Sequence, residues 1–184
     1  MKVLIACRVF EDELKACLPW DEKLEVVWVE AGLHADLDLL EKTLSRALSE
    51  AAAAGGEVRL LYGVGCHPEL ARLAARFGVP LSPVKNCIEA FCRERTQELE
   101  RNRTMIMTPG WVRAWHGIME AMGWNEVDVR IQLGRYDRIL LLDPGVNPLK
   151  DEEILAFYDL VQIPIDVQPL DLQPFRETLE EVLT

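Results

Sequence analysis

The chain has 184 residues, of which 49% are hydrophobic, and this length suits one compact domain with a single core. Its formal net charge of −11 argues against nucleic acid and against an anionic membrane surface as partners, because both require a basic face. The amino terminus lacks a signal-peptide pattern and no stretch reaches the ~18 apolar residues of a membrane span, so we expect a cytoplasmic protein.

The front half of the chain alternates apolar runs with helical patterns. The run "KVLIAC" is continuous and aliphatic, which is typical of a strand buried on both faces. Strands are predicted at 2–7, 24–30 and 57–63, with a short strand or edge at 79–84. Helices are predicted over "EDELKACL", "DLDLLEKTLSRALSEAAAA", "HPELARLAARFG" and "NCIEAFCRERTQELER". Acidic runs such as "EDE" are interpreted as solvated helix faces.

The back half repeats this alternation. A strand and turn are predicted at 104–111, a strand running into a turn at 135–145, and a last short strand at 163–170. The intervening helices are "VRAWHGIMEAMGW", "DEEILAFYDLVQ" and "QPFRETLEEVL". Alternating strands and helices form βαβ units, so we predict an α/β fold. The expected architecture is a single doubly wound, mainly parallel, Rossmann-like sheet with helices on both faces. The domain spans 1–184, with a seam in "LERNRTMIM" between a front half, 1–100, and a back half, 101–184.

Residues that could carry chemistry follow the predicted strands. In parallel sheets, ligands bind beyond the carboxyl ends of the strands. Three of the five cysteines and two of the three histidines fall at this edge, namely Cys7, Cys66, Cys87, His34 and His67. Further residues predicted to line a pocket there are Asn86, Glu89, Thr108, Gly110, Trp111 and Asp143.

The cysteines favour a metal site. The number of cysteines is odd and their spacing irregular, which is not typical of a disulfide framework. Cys7, Cys66 and Cys87 come from three loops, and with His67, His34, water or substrate as the fourth ligand they could hold zinc or an iron–sulfur cluster. We also expect the helix after Pro68 to lower the pKa of the Cys66 thiol.

Three alternatives remain open at this point. The cysteines could simply be small buried hydrophobic residues. A metal-free enzyme could use Cys66 or Cys87 as nucleophile and a histidine as base, acting on a small molecule. A non-catalytic accessory protein could bind a partner or carry its cofactor. "GVGCHP" lacks the third glycine of a dinucleotide fingerprint, and the phosphate-loop, HExxH and GxSxG motifs do not occur in the sequence.

Six segments resemble one prokaryotic family over nearly the whole chain. They are "ACRVFEDEL", "EAGLH", "YGVGCHPEL", "NCIEAF", "TPGW" and "YDRILLLDPG", in this order. The sequence resembles the domain of unknown function 1638 family, although its "YGVGC" places the cysteine later than other branches do. The resemblance implies a cytoplasmic α/β domain with cysteines in its motifs and a link to corrinoid-dependent one-carbon metabolism. The implied partners are a metallocofactor or small-molecule ligand and a methyltransferase or redox protein.

Overall fold

A computed structural model describes residues 1–18 and 24–184. The front half contains a three-stranded parallel sheet with strand order β2-β1-β3. Its strands are β1 (Lys2–Cys7), β2 (Leu24–Val29) and β3 (Glu57–Leu61). The central strand β1 is buried from Val3 to Cys7, as its unbroken apolar sequence predicts. Cys7 therefore lies at the carboxyl end of the most enclosed strand of this sheet.

The helices of the front half differ widely in length. The longest, α2, begins after Asp36, whose side chain accepts a hydrogen bond from the Leu39 amide at 2.9 Å. The α-helices are α1 (Glu11–Cys17), α2 (Leu37–Ala53), α3 (Leu70–Arg76), α4 (Glu89–Cys92) and α5 (Thr96–Leu99). The front half also contains short 3-10 helices at Arg8–Phe10, Ala31–Ala35 and Arg93–Arg95.

The back half contains a second parallel sheet with strand order β4-β5-β6. Its strands are β4 (Thr104–Met107), β5 (Arg138–Asp143) and β6 (Ile165–Pro169). Its helices are α6 (Pro109–Met122), α7 (Glu126–Leu133), α8 (Asp151–Val161) and α9 (Gln173–Leu183). The sheet starts immediately after Asn102 and Arg103, which both have positive φ and turn the chain at the predicted seam.

The predicted α/β class with parallel strands and flanking helices is confirmed, but the strands form two sheets of three. β3 is an edge strand of the first sheet and β4 an edge strand of the second. The halves are nevertheless joined by α9, which returns from the back half to pack against α4 and β3. Phe175 of α9 lies with its ring centroid 4.9 Å from that of Phe91 and 5.5 Å from that of Phe10.

Three local predictions were wrong, and one helix was missed. Residues 79–84 form no strand, because Pro80 and Pro83 lack the amide hydrogens that a strand needs. The helix predicted from "NCIEAF" onward is broken where Arg93 adopts a φ of 47°. Helix α6 starts at Pro109, inside the predicted turn, and α7 had not been predicted.

Among the described residues, no helix has both the length and the apolar character needed to cross a membrane.

Candidate functional site

Two loops that carry cysteines are locked together at the carboxyl end of β3. The Val64 amide donates to the Val84 carbonyl at 3.2 Å, and the Gly65 amide donates to the Lys85 carbonyl at 2.7 Å. A Cβ atom at Gly63 would lie 2.3 Å from the Lys85 carbonyl oxygen, so only glycine allows this approach. The pairing brings the turn that holds Cys66 beside the loop that leads to Cys87.

The three predicted cysteines interact electrostatically. Burial raises the pKa of Cys66 to about 11, and the charge of Cys7 raises it as well. Burial also raises the pKa of Cys87 to about 12, with further contributions from Cys7 and Cys66. The pKa of Cys7 is raised by burial too. The three thiols are therefore close enough to influence one another, and all three are protonated at neutral pH.

These pKa values overturn one expectation from the sequence. Helix α3 begins only at Leu70, after the turn that follows Cys66, and has seven residues, so its dipole is short. Burial dominates instead and favours the neutral thiol. The prediction that the following helix lowers the pKa of Cys66 is wrong.

Tyr62 places a poorly satisfied hydroxyl among these thiols. Its side chain is 1% exposed, and its hydroxyl interacts with the Cys7 thiol but makes no well-formed hydrogen bond to a described residue. Burial raises the pKa of Tyr62, and Cys7, Cys66 and Cys87 each raise it further. A buried hydroxyl that lacks a well-formed hydrogen bond is costly, so this group marks a place where a ligand atom could be bound.

His34 lies on the ring of Tyr62. The two rings are stacked with centroids 5.8 Å apart, and the indole of Trp111 lies 6.1 Å from the imidazole. His34 Nδ1 is 3.1 Å from the Ala31 carbonyl oxygen, which can only accept, so Nδ1 carries the proton. Burial lowers the pKa of His34, which keeps the ring neutral. Its Nε2 then has a lone pair, as a metal ligand requires.

His67 is held by the backbone at both ring nitrogens. Its Nδ1 accepts from the Glu69 amide at 3.1 Å, and its Nε2 lies 3.1 Å from the Leu37 carbonyl, to which it donates. The side chain is 4% exposed. His67 thus connects the starts of α2 and α3, and neither nitrogen has a lone pair to offer a metal.

The remaining predicted residues fall into two groups. Trp111 Nε1 donates to Cys87 Sγ at 2.9 Å, and Thr108 and Gly110 form the start of its helix. Side chains of the other group complete turns: Asn86 accepts from the Glu89 amide, Glu89 from the Lys85 amide, and Asp143 from the Gly145 amide. These three therefore have local structural roles.

A cleft of about 650 Å³ lies between α6 and the segments after β1 and β2, and its volume is typical of a small-molecule pocket. Cys7, Cys66 and Cys87 do not line it. Small residues of α6, including Gly110, Ala114 and Gly117, form one wall. The segments after β1 and β2 form the other, with Arg8 paired to Glu30 at 2.6 Å on the rim. Of the residues predicted to line a pocket, only Gly110 lines this cleft. The sequence could not predict the others, because the shape of the cleft depends on how the two halves pack.

Glu13 is a functional candidate that the sequence analysis missed. It belongs to the "EDE" run, yet it is 2% exposed, and its Oε2 has no hydrogen-bond partner in the described part of the chain. Burial raises its pKa to about 7, Asp12 and Asp143 raise it further, and Arg113 lowers it. The interpretation of this run as a solvated face is wrong at Glu13, because the back half covers it. No sequence signal distinguishes Glu13 from its two acidic neighbours.

The thiols do not stand in metal-binding geometry. Across residues 1–18 and 24–184, no three His, Cys, Asp or Glu side chains are grouped closely enough to hold a metal ion as they are placed. Cys17 and Cys92 are also free thiols. Burial raises the pKa of both thiols, while the charge of Arg176 lowers that of Cys17 and the charge of Arg95 lowers that of Cys92.

Residues 28–179 match the model of a family described as "Protein of unknown function (DUF1638)". The chain belongs to this family. The match confirms the resemblance seen in the motifs. Cys66, Cys87 and Trp111 of this DUF1638 protein lie within the matched residues, whereas Cys7 precedes them.

No curated protein matches this DUF1638 chain. Among solved structures, it is similar to the glutamate racemase from Aquifex pyrophilus, with a TM-score of 0.42 and 16% sequence identity. That alignment covers 98% of this chain and 82% of the racemase chain.

Proposed function

We propose that this protein binds a thiolate-coordinated metal or metallocofactor through Cys7, Cys66 and Cys87, with His34 as the fourth donor. The observation that supports it is that Cys7, which is buried, and Cys66 and Cys87, which are partly buried, each raise the pKa of the buried Tyr62 hydroxyl, which makes no well-formed hydrogen bond to a described residue. Structural cysteines that only fill space do not need a buried, poorly satisfied donor beside them.

The chemistry of these donors fits a soft metal. Three thiolates and one neutral imidazole form a common zinc ligand set, and three thiolates can also hold an iron–sulfur cluster with one open position. His34 replaces His67 in this proposal because its Nδ1 donates to a carbonyl and leaves Nε2 as the donor. Tyr62 would donate its hydroxyl hydrogen to a thiolate sulfur or to a bound ligand.

Binding requires two changes at the thiols. The Sγ atoms must turn toward a common point, since they are not grouped in metal geometry as placed. Each thiol must also lose its proton, since burial holds the pKa values near 11 and 12 for Cys66 and Cys87. A bound cation reverses the electrostatic cost that raises these values, so metal binding releases protons.

The raised pKa values weigh against a metal-free thiol enzyme. Such an enzyme needs a thiolate, and its reactive cysteine usually has a pKa below the ordinary value. All three thiols have pKa values shifted in the opposite direction. We place the metal site in redox or methyl-transfer metabolism, with a methyltransferase or redox protein as partner, on the resemblance of the motifs alone.

The first experiment is purification without oxygen, followed by elemental analysis and a visible spectrum. We expect iron with acid-labile sulfide or stoichiometric zinc, lost in Cys66→Ser and Cys87→Ser. The matched control is Cys92→Ser, which removes a thiol outside the coupled set and should retain the metal. A protein that contains no metal and takes up none after anaerobic reconstitution would contradict the proposal.

A further inference from the structure

The cleft between the two halves lies where parallel sheets usually bind their ligands. Its lining residues follow four strands, with Arg8 after β1, Glu30 after β2, Gly110 after β4 and Asn147 after β5. In α/β proteins, ligands bind in the crevice beyond the carboxyl ends of the strands. The position of the cleft relative to both sheets is therefore that of a ligand site, and the three coupled thiols are not part of it.

The charges that line the cleft are balanced, although the whole chain has a net charge of −11. Three basic and three acidic side chains line it, namely Arg8, Lys15, Arg113, Glu11, Asp12 and Glu30. A polyanion such as a nucleotide would require an excess of positive charge, which this lining lacks. The balance instead favours a small molecule with one positive and one negative group.

Arg8 is held in place and still has hydrogen-bond donors to offer. Its Nε donates to Glu30 at 2.6 Å, and its Nη1 donates to Glu11 at 3.0 Å. The guanidinium also lies over the ring of Trp28, 5.6 Å from the ring centroid. Its Nη2 makes no hydrogen bond to a described residue. A guanidinium fixed in this way presents preorganised N–H groups that suit a carboxylate.

Asp12 offers the complementary acceptor and is held from the opposite half. Its Oδ2 accepts from Arg113 Nη1 at 3.2 Å and from Asn147 Nδ2 at 2.9 Å, whereas its Oδ1 accepts from no described residue. Arg113 also donates to the Asn147 and Pro148 carbonyls and to Glu153, so its guanidinium joins α6 to its neighbours. The second carboxylate oxygen of Asp12 therefore suits a ligand ammonium group.

We infer that the cleft binds a small zwitterion, with its carboxylate at Arg8 and its ammonium group at Asp12. The methylene part of the ligand would lie against the wall formed by Ala114 and Gly117 of α6. A Cβ at Gly117 would meet no atom within 4 Å, so this wall leaves room for a ligand. The inference does not depend on the proposed metal site, because the residues that carry it are different.

The test uses straight-chain ω-amino acids from glycine to ε-aminocaproate as probes. This series varies the separation between the two charged groups. The matching carboxylates and amines, which each lack one charged group, are the ligand controls. Two-dimensional ¹H–¹⁵N NMR titrations measure dissociation constants up to the millimolar range. We expect at least one amino acid to bind, and its matching carboxylate and amine to bind at least about tenfold more weakly, because each loses a charge-assisted hydrogen bond.

Two pairs of variants locate the site. Gly117→Leu fills the space beside α6 and should abolish binding, whereas Glu120→Leu adds a leucine at an exposed position of α6 outside the cleft and should not. Arg8→Lys keeps the charge but loses the guanidinium N–H groups, and should weaken binding by about tenfold. Its control is Arg72→Lys, since Arg72 also pairs with two glutamates but lies outside the cleft. Far-ultraviolet circular dichroism verifies that all four variants are folded.

Three results would overturn the inference. Carboxylates or amines that bind as tightly as the amino acids would exclude a zwitterion as the ligand. Binding that neither Gly117→Leu nor Arg8→Lys weakens would place the ligand outside the cleft. A wild type that binds no member of the series at millimolar concentration would overturn the site itself. The metal content of the purified protein tests the proposed function separately.

Discussion

Glu13 lies in the first turn of α1, beside Glu11 and Asp12, which remain partly exposed. Burial raises its pKa from an ordinary value of 4.5 to about 7. The folded protein therefore binds a proton at Glu13 more tightly than the unfolded chain does. By linkage, the free energy of unfolding falls by at most about 3 kcal/mol as pH rises from about 4.5 to about 7. Above about pH 7 this contribution does not change further.

Glu13→Gln should remove this pH dependence. We expect the variant to be more stable than the wild type at pH 8, by about 1–3 kcal/mol, and nearly equal to it at pH 4.5. Urea denaturation at the two pH values measures the difference. Glu25→Gln, at an exposed position of β2, is the control, and its effect on the free energy of unfolding should be the same at both pH values. A stability difference of the same size at both pH values would show that the Glu13 carboxyl does not titrate as described.

At the level of residues, the sequence predicts where candidate residues stand relative to the strands. Cys7 ends β1, and His34 and Cys66 come after β2 and β3, because the apolar runs of these strands are unmistakable. The Trp111–Cys87 hydrogen bond could not be predicted, since it depends on how α6 of the back half packs against a loop of the front half. Glu13 was missed for the same reason, because Arg113 and Asp143, which lie near it, belong to the back half.

Elements were predicted best where the local pattern decides them. β1 and α9 were predicted with their observed bounds, because an unbroken aliphatic run and an amphipathic helix need little tertiary information. Residues 79–84 were misassigned since an apolar run was given more weight than its two prolines. The division into two sheets was missed because strand order is a long-range property that periodicity does not encode.

The contact between α6 and the segment after β1 allows a test with two glycines of one helix. At Gly110 a Cβ would meet the Val9 carbonyl oxygen at 2.2 Å, whereas at Gly117 nothing lies within 4 Å. Gly110→Ala should therefore destabilise the protein by about 1–3 kcal/mol, the usual cost of overpacking. Gly117→Ala should stabilise the protein by up to about 1 kcal/mol, because alanine has a higher helix propensity than glycine.

Chemical denaturation of the two variants beside the wild type gives both free energies. Equal stability of the two alanine variants would mean that the first turn of α6 does not rest on the Val9 backbone.

At the scale of the whole molecule, α9 makes the two halves depend on each other. It follows the last strand of the second sheet but packs into the core of the first, where Phe175 is fully buried against Phe10 and Phe91. The Lys2 ammonium donates to the Leu183 carbonyl at 2.6 Å, so the two ends of the chain also meet. Neither half can lose its structure without exposing apolar surface of the other.

Phe175→Ala should cost about 3–5 kcal/mol of unfolding free energy, as for other large aromatic residues removed from a core. Because α9 belongs to both halves, the loss should appear as one cooperative transition at lower urea concentration. Far-ultraviolet circular dichroism and tryptophan fluorescence should then report the same midpoint. Phe77→Ala, at a half-buried position after α3, is the control and should cost less. If the two probes report different unfolding midpoints, and only one midpoint shifts in Phe175→Ala, the halves unfold independently and α9 does not couple them.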